Sequence, residues 1–288
     1  VDGLLGRDED LLMLANAYVA HAPHKFIRHA ARRAQAGALG RRGWAGSEAF
    51  PPSTPVIDAV IIGGGLAGLS AALTMLDRGG RVVLLEKMGH FGGNSAWASS
   101  GVNAVDTNDT KTGDSVDAFT ADVIKAGGRG DNPLVPVLTE GSVDSLAWLR
   151  DRLKEHLSLD LVGQLGGHSY ARTHRPSSGL AGSAMVFAIQ KQLEKYAQEK
   201  PDPRLDLRKW TRATKLITDG GGAVIGVELE VSGPPSIMKE GAPKQTSQVF
   251  ANNVIIATGG YASDYTDTSL LAKHRPDLIK YATTNNKG

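Results

Sequence analysis

Cysteine is absent from this chain of 288 residues. That rules out disulfides, iron–sulfur ligation and thiol redox chemistry by its own side chains. A strong charge bias is missing too. The 32 Lys and Arg nearly balance the 30 Asp and Glu, leaving a formal charge of +2, so nothing pulls the chain as a whole toward nucleic acid or an anionic membrane. No apolar run reaches the roughly eighteen residues that a membrane-spanning helix needs, and no internal repeat is visible. The expectation is therefore no nucleic-acid partner and no membrane span. What remains is ordinary for a globular protein: 41% hydrophobic and 22% charged residues, at a length suited to one large or two medium domains. Glycine is the residue in excess, with 35 copies, and these gather in turns.

The most specific of those turns lies in Val60-Ile61-Ile62-Gly63-Gly64-Gly65-Leu66-Ala67-Gly68-Leu69, followed by Arg81-Val82-Val83-Leu84-Leu85-Glu86-Lys87. It reads as a buried strand, a glycine turn, a helix, a second strand and an acid at that strand's end, which is the dinucleotide-binding fingerprint in its required context. Gly63 permits the tight turn, Gly65 lets a pyrophosphate approach the backbone, and Gly68 lets the helix pack closely. The helix begins at this point, so its unpaired amides and positive dipole end face the phosphates. Glu86 lies about twenty residues on, where a carboxylate accepts from ribose hydroxyls and disfavours a 2′-phosphate.

Before the fingerprint the chain changes character twice. Residues 1–20 are acidic and partly helical in pattern. Residues 21–46 carry His21, His24, Lys25, Arg28, His29, Arg32, Arg33, Arg41 and Arg42 with no Asp or Glu, and read as a solvated arm or a transit-peptide-like segment. Pro51-Pro52-Ser53-Thr54-Pro55 reads as a stiff linker. The start at Val1 suggests processing or a piece of a longer polypeptide. A transit-peptide-like segment would imply a mitochondrion or another organelle, while the rest of the sequence does not set the compartment.

After it, helical apolar spacing runs over 114–125 and 134–153, with Leu134, Val137, Leu138, Leu146, Leu149 and Leu153 on one face. Met185, Val186, Ile189, Leu193 and Tyr196 form a second such stripe. Thr214–Thr218 and Ala223–Val231 flank Asp219-Gly220-Gly221-Gly222 as a hairpin, with Val249-Phe250-Ala251 as a third strand. Pro234, Pro235, Gly241 and Pro243 mark a loop. Val254–Ala257 is a short apolar strand closed by Thr258-Gly259-Gly260. The spacing predicts a central, mostly parallel sheet from Val56–Ile62, Arg81–Glu86 and Val254–Ala257.

Three small-residue segments extend the nucleotide reading. Phe91-Gly92-Gly93-Asn94-Ser95 combines bare backbone with neutral hydrogen-bonding groups. Ser99-Ser100-Gly101-Val102-Asn103 suits a flat ring packed against backbone. Val254–Gly260 again ends in glycines. In this order they look like the first half of an FAD site.

Together with Glu86-Lys87, these motifs resemble the flavoprotein of the fumarate reductase/succinate dehydrogenase superfamily. Gln164-Leu165-Gly166-Gly167-His168-Ser169, Arg172-Thr173-His174-Arg175, Ala257–Tyr261 and Tyr281–Asn285 narrow the likeness to the soluble fumarate reductases of yeasts and kinetoplastids and to the flavin domain of bacterial flavocytochrome c enzymes. It covers Val56 to the end. The resemblance implies an α/β flavoprotein of the two-dinucleotide-fold kind, with a mostly parallel sheet, a small antiparallel sheet and a clamp domain only begun. The expected division is 1–55 as extension or linker, 56–260 as FAD-binding domain and 261–288 as the start of the clamp.

By the same resemblance, Gly63, Gly64, Gly65, Ala67 and Gly68 hold the pyrophosphate, and Glu86 with Lys87 the adenosine ribose side. Asn94, Ser95, Ser99, Ser100 and Gly101 line the flavin, with Ser100 departing from the glycine of bacterial relatives. Ala213 meets the adenine, and Thr258 and Gly259 lie along the ribityl–phosphate path. No histidine equivalent to a covalent anchor stands near Ser95, since His90 precedes the Gly-Gly-Asn, so FAD is expected to be non-covalent. His168, Arg172, His174 and Arg175 form a cationic set suited to a dicarboxylate, or else pair with local acids.

Family catalysis passes a hydride from reduced flavin N5 to fumarate while an arginine protonates the other carbon, giving succinate. That arginine, the His-Pro-Thr and the Thr-Glu of the clamp lie beyond the end of this chain, so no catalytic residue is assigned within it. Electrons would come from NADH, reduced flavin or an electron-donor domain. The alternatives are a non-catalytic flavin-binding remnant and an NAD-dependent dehydrogenase.

Overall fold

The computed structural model describes residues 56–109, 111–127, 133–200, 203–233, 245–261 and 264–281. The N-terminal extension and linker, the loop with Pro234, Pro235, Gly241 and Pro243, and Thr283, Thr284 and Asn285 lie outside these residues. Among the described residues, ten strands and five α-helices follow in order: β1 (Ala59–Ile62), α1 (Leu66–Asp77), β2 (Val82–Leu85), β3 (Val102–Asn103), α2 (Val116–Gly127), α3 (Leu134–Leu153), β4 (Leu161–Gly163), β5 (Thr173–Arg175), α4 (Ala181–Ala197), β6 (Leu205–Arg208), β7 (Thr211–Thr218), β8 (Val224–Val231), β9 (Gln245–Phe250), β10 (Asn253–Ile256) and α5 (Leu270–His274). A short 3₁₀ turn spans Gly93–Trp97.

The central sheet has the order β10-β1-β2-β6, and every pair in it is parallel. The expected strands all lie here, trimmed at their ends, and β6 joins them as a fourth that its Leu205-Asp206-Leu207-Arg208 alternation did not announce. The sheet is covered on both faces, which explains why β1 and β2 are apolar at every position. Ala59, Ile61, Val82 and Leu84 point into one core with α1 and α4. Val60, Val83 and Leu85 point into a second core with Val227, Leu229 and Val249. The second core is roofed by the antiparallel sheet β7-β8-β9. Its hairpin is closed by Asp219, whose Oδ1 accepts from the amides of Gly221 and Ala223, both at 2.9 Å. A third sheet, β3-β5-β4, was not expected.

Helix α3 is where sequence and structure part. Leu146, Leu149 and Leu153 are buried as expected, but Leu138 is exposed and Leu134 and Val137 are half-buried. Val135, Thr139 and Ser142 take the inner positions instead. Two of these are polar, and they turn inward because each finds a partner there. Thr139 Oγ1 lies 2.7 Å from Thr120 Oγ1, and Ser142 Oγ accepts from the Val105 amide at 3.1 Å. A satisfied hydroxyl loses little on burial, so it can displace a leucine from the core face.

Candidate functional site

The βαβ unit β1–α1–β2 places its turn at the carboxyl ends of the parallel strands, where ligands bind in open α/β sheets. Gly63 has φ +106°, and a Cβ there would sit 2.4 Å from the Ala257 carbonyl oxygen. A Cβ on Gly68 would sit 1.9 Å from the Gly63 carbonyl oxygen, so this glycine lets the helix close on its own loop. A Cβ on Gly64 would fall 2.3 Å from the Phe91 ring and 3.0 Å from Glu86 Oε2.

Gly65 differs from all of these. It caps α1 in an extended conformation, φ −74° and ψ −177°, which any residue adopts. A Cβ there would meet nothing closer than Ser95 Oγ at 3.7 Å and Gly92 O at 3.8 Å, ordinary contact distances. Neither the backbone nor the packing of the chain requires a bare position. Gly65 offers α1 no side-chain cap and the first turn carries no acid, so the side chains that meet its positive end come from elsewhere in the chain: Ser95 on the Leu66 amide and Glu86 on the Gly64 amide. A group that binds against main chain at a helix N-terminus, as a diphosphate does, fits this cradle.

Three further segments converge on it. Glu86, buried at 7% exposure, accepts through Oε2 from the Gly64 amide at 2.9 Å and through Oε1 from the Met88 amide at 2.8 Å. The Gly92 amide donates to Gly64 O at 2.8 Å, and Ser95 Oγ accepts from the Leu66 amide at 3.3 Å. The Ala257 amide donates to Ile62 O at 2.8 Å, which brings Thr258 beside Gly63. Lys87, Asn94, Ser99, Ser100, Thr258 and Gly259 are exposed at this end of the sheet or on the segments leading from it, whereas Ala67, Gly101 and Ala213 are half-buried. Ala213 packs against the second core and pairs with Leu229 next to a bulge in β7.

The cationic set lies behind β3, whose first residue follows Gly101. Arg172 is fully buried. Its Nε and Nη2 donate to Asp114 at 2.9 and 2.6 Å, its Nη1 donates to Asp122 at 2.7 Å, and its guanidinium lies 4.7 Å from the Phe119 ring centroid. The Asp122 carboxyl is held at about 2, first by the Ser169 hydroxyl and amide and then by Arg172, against the opposing effect of burial. His168 Nδ1 lies 3.3 Å from Arg172 Nη1.

His174 is also buried. Its Nε2 is 3.0 Å from the Ala104 carbonyl, which only accepts, so Nε2 carries the proton. Its Nδ1 then accepts from Arg150 Nη2 at 3.4 Å. Burial pushes the imidazole below its usual value, and the Arg150 charge adds to this. Arg150 is itself paired with Asp106. Burial works to raise the Asp106 carboxyl, but Arg150 and the Asn108 amide more than offset it. Of the four residues expected to face a dicarboxylate, the structure turns Arg172 and His174 inward, leaves His168 half-buried and exposes Arg175.

A model of the FAD-binding domain matches residues 58–288. The chain belongs to this FAD-binding family. The match is to a flavin-binding group and supports the flavin reading. The chain is 40% identical over 234 residues to the fumarate reductase of Schizosaccharomyces pombe, covering 79% of this chain and 43% of that protein. It is 34% identical to the cytochrome-containing fumarate reductase of Shewanella frigidimarina, covering 81% of this chain and 38% of that protein. The open conformation of a flavocytochrome c3 fumarate reductase superposes with a TM-score of 0.66 at 27% identity, covering 89% of this chain and 40% of that one. The chain therefore spans about two fifths of the length of these three proteins.

Several residues that shape this FAD-binding domain gave no local signal. Asp114 and Asp122 lie 58 and 50 positions from the arginine they neutralise. Asp106 and Arg150 are 44 apart. Trp210 holds φ +54°, the one non-glycine at positive φ among the described residues, at a cost of about 1–2 kcal/mol. No motif flags it.

Proposed function

We propose that the chain binds FAD without a covalent link and serves a fumarate reductase-like oxidoreductase, in which the flavin supplies hydride chemistry toward fumarate to give succinate. The observation that carries this reading is the bare Gly65 at the start of α1, which the packing of the chain does not itself require. In this reading the amides at the start of α1 hold the diphosphate. Glu86 uses its remaining lone pairs to accept from the adenosine ribose. Ser95, already engaged with the Leu66 amide, sets the boundary between diphosphate and flavin.

Asn94, Ser99, Ser100 and Gly101 line the flavin side, backed by the sheet β3-β5-β4. Arg172 and His174 act as the scaffold of that sheet. Arg175, exposed on β5, is the member of the cationic set that we assign to dicarboxylate contact, with the half-buried His168 as a second candidate. No proton donor or electron source is assigned among these residues.

Purified protein tests the first step. Retention of flavin absorbance through gel filtration, with release of the colour into the supernatant on acid precipitation, is the expected result. Colourless protein that takes up no added FAD would overturn the reading. Anaerobic reoxidation of the reduced holoprotein by fumarate, absent with a non-reducible dicarboxylate such as succinate, tests the substrate.

A further inference from the structure

Trp210 sits where β6 hands over to β7, in a left-handed conformation at φ +54°. Tryptophan has neither the bare Cα of glycine nor the short polar side chain that lets asparagine settle there. The surroundings hold it on both sides. Its amide donates to Met88 O at 3.1 Å, and its carbonyl accepts from the Ser232 amide at 2.8 Å and hydroxyl at 3.2 Å. On either side of it the Glu86 amide donates to Arg208 O at 2.8 Å and the Thr211 amide donates to Glu86 O at 2.9 Å. The indole packs against Gly89. A Cβ at Gly89 would be 2.2, 2.6 and 3.0 Å from three atoms of the ring, so the bare glycine and the large ring form a matched pair.

The turn from Glu86 to Phe91 is thus gripped at its middle by the indole and at its start by the backbone ladder. Both ends of that turn press on Gly64. Glu86 takes its amide, and the Phe91 ring fills the space of its missing side chain. Lys209 Nζ covers the Phe91 ring at 5.1 Å from its centroid.

We propose that Trp210 is a positioning residue for the adenosine half of the dinucleotide. Its indole locks the 86–91 turn, and through that turn it sets the Glu86 carboxylate against the glycine loop. The proposal rests on the FAD reading above. The strained backbone is retained because it lays the ring on Gly89.

The test compares parent, W210F, W210N and G89A protein for FAD affinity by flavin fluorescence, ADP affinity by displacement of FAD, and the melting temperature of the apoprotein. In W210N, asparagine tolerates the backbone but removes the ring. FAD and ADP affinity should fall about tenfold while the apoprotein melts within a few degrees of the parent. W210F should recover most of the affinity. G89A, which must push the ring away, should weaken ADP in the same way and carries the test alone if W210N does not fold. Parental ADP affinity in W210N or G89A overturns the proposal, as does a loss that tracks the melting temperature and is not rescued by phenylalanine. Failure of the parent to bind FAD at all would instead sink the cofactor reading.

Discussion

Glu86 and Gly64, 22 positions apart, are joined by a hydrogen bond of 2.9 Å from the glycine amide to the carboxylate. The carboxylate expected to hold a ribose thus also ties the end of β2 to the phosphate loop. Replacement by glutamine exchanges one acceptor oxygen for an amide nitrogen and removes the charge. Hydrogen bonds to charged groups contribute about 1.5–3 kcal/mol. E86Q should weaken FAD at least about tenfold, which corresponds to about 1.4 kcal/mol, and should lower the melting temperature of the apoprotein as well. Fluorescence titration and thermal melts check the two effects.

Gly65 and Gly68 should respond oppositely to alanine. A Cβ at Gly68 meets a backbone carbonyl at 1.9 Å, an overlap that costs about 3 kcal/mol or more. A Cβ at Gly65 meets nothing closer than 3.7 Å, and alanine at such a cap costs about 1 kcal/mol. G65A should therefore fold like the parent and lose FAD. G68A should express poorly or melt early. A G65A protein with parental FAD affinity would place the diphosphate elsewhere.

Arg172 is the centre of a buried ion cluster, with side-chain exposures of 0% for the arginine, 3% for Asp114 and 8% for Asp122. R172M leaves two carboxylates without their partner, and breaking a buried pair in this way costs about 3–5 kcal/mol. Urea denaturation should show the loss directly. A variant of parental stability with weakened binding of a dicarboxylate would instead mark Arg172 as a ligand-contacting residue.

His174 and Asp122 both add to the chain's acid sensitivity. The buried His174 has a folded pKa below the ordinary 6.5, so the unfolded state binds more protons once the pH drops below that value. Stability is full above about 6.5 and declines as the pH falls toward the folded value. Asp122, at about 2 against an ordinary 3.8, contributes above its unfolded value, and that contribution is lost as the pH falls from there through about 2. Melting temperatures from pH 8 to pH 5 should fall in the parent, and the slope should flatten in H174Q. An unchanged slope would remove His174 from this account.

The nucleotide unit was readable in advance because its elements are contiguous. Strand, turn, helix, strand and acid fall within thirty residues, and Gly68 answers a steric demand from Gly63 inside that same stretch. The hairpin was readable for the same reason. Helix α3 was misread over its first half because hydropathy alone cannot show that Thr139 and Ser142 would find partners on Thr120 and Val105. Strand β6 was missed because it packs one face on the sheet with only two apolar residues.

The cationic motif was visible as a set of charges, yet its orientation was not. Whether Arg172 reaches outward or inward depends on Asp114 and Asp122, which another part of the chain delivers. A repeating apolar pattern and a short glycine motif report on neighbours a few residues away, and those physical demands are written in order along the polypeptide. Burial of charge, the inward turn of His174 and the strained seat of Trp210 depend on groups tens of residues distant, and folding alone brings those groups within hydrogen-bonding range.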